Sequence, residues 1–377
     1  MTQRPLPYTD AFDDPADRAV ATLLLELVDQ TRARVAVPPH AAAGGFWFGS
    51  GNAVRDDAGA IWLIGRYRDA GDSRTGLEAG VRGAELAVFR SDDDGRTFTK
   101  RAAWTKRDLS RLGDVTSIEG SALARRADGT WEALVSLEKV RPYPDAVATL
   151  QKPGTGVWSI DRLAGPRPDA LDPAGQARVL ASDDPATLHV KDPVVARDGE
   201  RTLLFACAHP ASWASSNTVF ALRTDDRAPF AVASWQHVPR GAMWDVAVTR
   251  VTHRLLLPRV GRFAERDHEV LFYDGAECMR PLEANPRAAA RPRGYSCEEL
   301  GGALWGPAGD PAALRRLSRL APLFVSPHGT GCSRYVSTLA TDDALVAFWQ
   351  QGQADGSQPL VTHRLPLARV HEILASA

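Results

Sequence analysis

Three carboxylates stand at matching points of a phrase that recurs along the chain. Glu119 heads Glu119-Gly-Ser-Ala-Leu, Asp192 follows Lys191 in Lys191-Asp-Pro-Val-Val, and Asp245 follows Trp244 in Trp244-Asp-Val-Ala-Val. Carboxyl groups that share one cavity repel one another, and at least one pKa rises. Two such groups flanking a glycosidic bond suffice to cleave it. One protonates the leaving oxygen; the other activates water or attacks. This reading makes Glu119 the general acid and Asp192 or Asp245 the base. The competing role for each is structural, a carboxylate tying neighbouring strands through backbone N–H groups.

A second set of polar residues falls where strongly apolar runs end: Arg66, Arg68, Glu138, Lys139, His209, Arg259 and Arg262. Arg334 and Tyr335 open the last repeat of the phrase. Arginines converging on one mouth would hold a carboxylate or sulfate through bidentate pairing. Taken singly, each arginine is more readily a surface ion pair. Trp47, Trp213, Trp244 and Trp349 could stack on sugars, and Trp244, beside Asp245, is the first choice. His189, His209 and His328 could carry protons; His328 lies in a glycine-rich loop, Ser-Pro-His-Gly-Thr-Gly.

The elements that must position these residues are short strands. Residues 15–34 first show helical periodicity, with Val20, Leu23, Leu24, Leu27 and Val28 on one face and Asp14 before Pro15 as N-cap. Beyond residue 46, apolar runs of strand length alternate with Asp/Gly/Arg turns. The phrase opens at Ser50, Glu119, Lys191, Trp244 and Ser333, and a hydrophobic strand follows each opening: residues 61–68, 131–139, 201–210, 254–262 and 344–351. Third strands fit at 85–90, 156–163, 217–223, 268–274 and 360–367. The last unit lacks a fourth strand of its own, and RVAVPPH near the N-terminus is placed to close the ring. The expectation is an all-β, five-bladed β-propeller with an N-terminal helix, six blades being the alternative. Residues 1–40 form the helical segment packed on it, and 41–377 the single propeller domain, with a long insertion at about 280–320.

Ser91-Asp-Asp-Asp-Gly-Arg-Thr-Phe98 matches S-x-D-x-G-x-T-[FW] at every specified position. It resembles the Asp box of sialidases and related propeller glycosidases. The resemblance implies a turn between the third and fourth strands of a blade, remote from the catalytic face. The wider layout resembles five-bladed glycosidases of the arabinanase, fructosidase and mannoside-phosphorylase kind, which set acids on the innermost strands around one funnel. Val190-Lys-Asp-Pro-Val-Val195 is similar to one such strand and Ile118-Glu-Gly-Ser121 to its partner. The first blade departs from that pattern, with Ser50 and Asn52 where the group has an acid, and the order runs Glu, Asp, Asp.

The remaining composition sets bounds. Of 377 residues, 45 are Lys or Arg and 46 Asp or Glu, so global charge favours neither nucleic acid nor an acidic membrane. No long apolar run or signal-like N-terminus is present, which gives a soluble, cytoplasmic protein, monomer or dimer, acting on a small carbohydrate. Cys207, Cys278, Cys297 and Cys332 form no CxxC pair, so reduced, buried thiols are expected and no zinc site. No cofactor or metal is called for; central calcium occurs in some relatives, but no ligand spacing demands it. The functional expectation is an exo-acting glycoside hydrolase on short, anionic oligosaccharides. Two alternatives are a propeller lyase on uronate oligomers, with Tyr335 or a histidine as base, and a non-catalytic sugar binder.

Overall fold

A computed structural model describes residues 12–70, 81–226, 228–279 and 299–377. Five antiparallel sheets follow one another along the chain. Blade one runs Trp47–Gly49 with Ala53–Arg55, then Ile61–Asp69, Val81–Ser91 and Thr99–Thr105. Blade two is Val115–Arg125, Trp131–Lys139, Val157–Gly165 and Asp172–Leu180. Blade three is His189–Asp198, Arg201–His209, Asn217–Arg223 and Ala231–Ser234. Blade four is Val248–Leu256, His268–Ala276, Leu300–Pro307 and Arg315–Arg316. Blade five is Ser333–Ala340, Ala344–Gln351 and Leu360–Pro366, and Arg34–Val37 supplies its outermost strand. The all-β, five-bladed propeller is therefore the fold, and the N-terminal segment closes the ring.

Blade four corrects the strand phase expected from sequence. Residues 254–262 are not its second strand: the inner strand is Val248–Leu256 and the second is His268–Ala276. Trp244 and Asp245 precede that inner strand. Much of the expected insertion is also blade, since Leu300–Pro307 and Arg315–Arg316 are its third and outer strands. Between those two strands lies a single 3-10 turn at Pro311–Ala313. Residues 280–298 lie outside the described ones.

The helix Pro15–Leu27 starts where Asp14 accepts from the Ala16 N–H at 2.9 Å. Its buried face, Val20, Leu23, Leu24 and Leu27, packs with Phe272 and Trp305 of blade four and Trp349 of blade five. The C-terminal helix Leu367–Ala375 joins the same cluster through Val370 and Leu374. Gln30 then donates to Ser333 Oγ at 3.0 Å, and Gln351 donates to the Gln30 carbonyl at 2.8 Å, so the chain enters blade five with its buried polar groups paired. Cys207 and Cys332 are free and buried. Cys278 instead is disulfide-bonded, which corrects the reduced thiol expected at that position, and Cys297 lies outside the described residues. Among the described residues no helix is long and apolar enough to cross a membrane.

The Ser91–Phe98 turn does join the third and fourth strands of blade one. Asp93 accepts from Ser91 Oγ (2.7 Å), the N–H groups of Arg96 (3.1 Å) and Thr97 (2.9 Å), and Thr97 Oγ1 (2.6 Å). Gly95 takes φ 78°, and Phe98 packs edge-on against Phe348 of blade five. Burial opposes the charge on Asp93, yet these bonds hold its pKa down at about 2. An aspartate lowered in the folded state stabilises above its unfolded pKa of about 3.9, and that contribution fades as pH falls toward 2. Asp93→Asn should therefore lower the melting temperature by a few degrees at neutral pH, and the gap to the parent should shrink near pH 2. Melting curves at both pH values check this; a gap independent of pH would refute it.

Candidate active site

Each inner strand carries an irregularity near its start, and these bring the site together. Register slips after Ile118 in blade two, Lys191 in blade three, Val251 in blade four and Arg334 in blade five; in blade one the strand breaks at Ser50. Such bulges re-aim side chains. Ser50, Asp192 and Tyr335 adopt positive φ there, 66°, 58° and 56°, and Tyr335 is the residue least suited to it. The bulges lace the blades together around the axis. Ser121 N–H donates to the Ser50 carbonyl (2.9 Å), and Gly120 N–H donates to Asp192 Oδ1 (3.1 Å). Ser136 Oγ bridges them, donating to the Gly120 carbonyl and accepting from Asp192 N–H, both at 2.7 Å. A side chain at Gly120 would meet Asp192 Oδ1 at 2.4 Å, so only glycine fits. An axial cavity of about 20 Å³, room for one water, lies among Ser50, Gly120, Asp192, Arg250 and Tyr335.

Arg250 is the hub. Its Nη1 donates to Asp192 (2.8 Å), its Nη2 to Asp274 (2.7 Å) and Glu299 (2.8 Å), and its guanidinium lies 4.1 Å from the Tyr335 ring centroid. Both Asp274 oxygens also accept from Tyr335 N–H at 3.1 Å. Burial, with the Glu299 charge nearby, pushes Asp274 up against the pull of Arg250. Arg334 donates to Glu299 (2.7 Å) and Gln358 (3.2 Å). Toward blade one, Arg66 donates to Glu119 at 3.0 Å, and Arg66, Arg68 and Arg334 surround the indole of Trp47 at 5.7, 4.6 and 4.7 Å. Lys191 lies between Trp158 and Trp213 and 3.7 Å from Asp192.

Glu119, Asp192, Arg66, Arg68, Arg334 and Tyr335 are thus brought together at the mouth where the inner strands begin. Burial opposes the charge of Glu119, but Arg66, Lys191 and Arg68 outweigh it and hold the carboxyl well below its usual range. A group held so stays ionised at neutral pH, unlike the proton donor expected from sequence. Asp192 has both oxygens engaged and little exposure, which fits a positioning role.

Other expected residues stand elsewhere. Asp245 is buried in blade four, accepting from Tyr273 Oη at 2.8 Å and paired with Arg316. Trp244 is core, stacked on Tyr273 and donating to the Ser318 carbonyl at 2.8 Å. Both follow from the shifted strand phase. The same shift puts Arg259 in the hairpin at the opposite face, paired with Asp267 at 2.7 Å. Arg262 follows it in the short turn Gly261–Phe263. Glu138 is buried at the mouth end of its strand, accepting from Gly156 N–H and paired with Arg82, both at 2.9 Å. His209 is buried against Cys207 and the Ser215 carbonyl, its pKa driven well down by burial and Lys191. His328 sits exposed on the loop before blade five. Trp349 is core, bonded to Gln30. Trp213, half-buried and stacked on His189, remains an aromatic surface beside Lys191. Arg250, Asp274 and Glu299 were missed as site residues. The signal for Arg250 is the cation just ahead of the slip, as in Lys191 and Arg334.

A larger hollow of about 720 Å³ lies at the opposite face, near Arg125, Arg197, Glu200 and Asp226. Its charges answer one another: Asp226 accepts from Arg197 at 2.8 Å and from Ala127 N–H at 2.8 Å.

No family model matches the chain, and no curated protein does. Solved structures do match. An α-L-arabinofuranosidase from Lactobacillus brevis aligns with TM-score 0.53 at 12% identity, over 86% of this chain and 90% of that one. The RS223 β-xylosidase aligns at 0.52 and 11%, over 89% and 95%. The β-1,2-mannobiose phosphorylase from Listeria innocua, complexed with β-1,2-mannobiose, aligns at 0.52 and 12%, over 91% and 97%. At such identities the likeness fixes the architecture, a five-bladed propeller with an axial mouth.

Removing the hub cation would leave several carboxylates buried without it. Arg250→Met should cost about 3–5 kcal/mol of stability. Urea unfolding of both proteins measures this; a loss below about 1 kcal/mol would contradict the hub role.

Proposed function

We propose that the protein is a carbohydrate-active enzyme, a glycoside hydrolase that takes the end of a short oligosaccharide carrying a carboxylate or sulfate. The observation that carries this reading is the meeting, at one mouth, of part-exposed Glu119 and Glu299 with the Arg66, Arg68 and Arg334 cradle. Nε and Nη2 of Arg68 are buried with no hydrogen-bond partner among the described residues, and so are Nε and Nη1 of Arg66. Buried guanidinium nitrogens without acceptors are costly, and a ligand anion would supply them. Burial, aided by repulsion from Arg66 and Arg334, lowers Arg68 to about 10, so it stays cationic at neutral pH. The arabinofuranosidase, xylosidase and mannobiose phosphorylase among the structural neighbours support a sugar substrate.

In this reading the arginines fix the anionic group and Glu119 accepts a proton from the attacking water. Asp192 holds Arg250 in place. The Ser91–Phe98 turn supports a link to sialidase-type propellers without bearing on the chemistry. The arginine cradle also suits a lyase acting on uronates. Burial raises the Tyr335 phenol above its usual range, however, so almost no phenolate is present near neutral pH to serve as base.

Turnover of a panel of neutral and uronic oligosaccharides, with and without inorganic phosphate, tests the proposal. Uronic members should be hydrolysed without phosphate, and Glu119→Gln should lower that rate about 10²–10⁴-fold while leaving the circular dichroism unchanged. Unsaturated, ultraviolet-absorbing products would establish a lyase instead. Phosphate-dependent turnover would establish a phosphorylase, and full activity in Glu119→Gln would remove Glu119 from the mechanism.

A further inference from the structure

We propose, on the footing of the anionic-glycan reading above, that the mouth edge of blade one is a track for two acidic sugars, with Arg82 and Lys106 holding a second carboxylate or sulfate beyond the one taken by Arg68 and Arg334. The substrate is then an oligomer with acidic groups on successive sugars, not a single acidic sugar on a neutral chain.

The order of the strands lays the track out. At the mouth edge Trp47 of the first strand pairs with Arg68 of the second. The second and third strands slip in register between the pairs Tyr67–Glu85 and Asp69–Val81, so Arg68 faces the bulged segment that carries Arg82. Glu85 in turn pairs with Thr105 at the end of the outer strand, and Lys106 is the next residue. From the axis outward the edge therefore presents Trp47 with Arg334 against it, then Arg68, Arg82 and Lys106. Lys106 stands two strands out from Arg68, roughly 10 Å at the usual strand spacing, which two linked sugar rings can span. Gly83 brings Arg82 inward. It takes φ 45°, and a side chain there would meet the Ile118 carbonyl at 1.9 Å. The third strand of blade one thus runs hard against blade two, and Arg82 reaches Glu138 at 2.9 Å.

The acids nearby are already engaged. Glu138 also accepts from Gly156 N–H. Glu85 is paired with Lys100, Asp69 is bonded to His40, and Asp108 accepts from the N–H and hydroxyl of Thr105. Lys106 is half-buried, yet its ammonium has no hydrogen bond or ion pair among the described residues. Burial, then the charge of Arg82, lowers its pKa. Arg82 is among the cations that repel Arg68 as well. Arg68, Arg82 and Lys106 therefore disfavour one another along the edge, and an anion seated between Arg82 and Lys106 offsets that repulsion.

Isothermal calorimetry of the full chain tests this with two pairs of probes: D-galacturonate against sulfur-linked digalacturonate, and D-mannuronate against sulfur-linked dimannuronate. The sulfur linkage resists hydrolysis, so binding alone is read. In at least one pair the dimer should bind about 10-fold or more tighter than the monomer, the gain of one further charge-assisted contact. Lys106→Met removes no bond of the free protein; it should abolish most of that gain and leave monomer binding unchanged. Monomers that bind while neither dimer gains would overturn the proposal on the parent protein alone. A gain that survives in Lys106→Met would overturn it as well. If neither monomers nor dimers bind, the anionic-glycan reading itself fails and takes this proposal with it.

Discussion

The guanidinium of Arg250 lies near the axis of the ring and donates to carboxylates rooted in blades three and four. Those carboxylates in turn accept backbone N–H groups from blades two and five, through Gly120 and Tyr335. A buried cation of this kind is tolerable only when its acceptors are held in place, and the acceptors are tolerable only with the cation present. The bulges, the positive φ at Asp192 and Tyr335, and the glycine at residue 120 all serve that arrangement. Blade one joins through Glu119 and Arg66 and through Trp47 beneath Arg334.

Depth separates two kinds of charge. Near the axis, Asp192 and Asp274 are satisfied within the protein, and their contacts hold the blades in register. Nearer the mouth, Arg66, Arg68 and Arg334 cluster around Trp47, and nitrogens of Arg66 and Arg68 are buried without acceptors among the described residues. The first set is architecture; the second has the polarity that an anionic ligand would complement.

The architecture was legible because it is written locally. Apolar runs of strand length, turn residues and the Ser91–Phe98 hairpin give the blade repeat, and Asp14-Pro15 gives the helix start. Blade four was misread for a physical reason: Trp244-Asp245-Val imitates Lys191-Asp192-Pro, although Trp244 fills core and Asp245 answers Arg316. The repeat marker that survives is a cation one step ahead of the bulge in blade three, at Lys191, and in blade five, at Arg334, with Arg250 at the corresponding pairing in blade four. Glu299 was hidden by its surroundings, since the Pro-, Arg- and Ala-rich stretch before it reads as an insertion. Ion pairs between residues far apart in sequence leave no local pattern, so the hub itself could be seen only in three dimensions.

The central claim is that the mouth of this propeller receives an anionic sugar through its arginine cradle. A crystal structure of the full chain soaked with D-glucuronate tests it most directly. The account predicts the sugar carboxylate within hydrogen-bond reach of Arg68 and Arg334, with the anomeric carbon facing Glu119 and Glu299. A sugar bound with its carboxylate turned away from those arginines, or seated instead at the opposite face near Arg125 and Arg197, would contradict it.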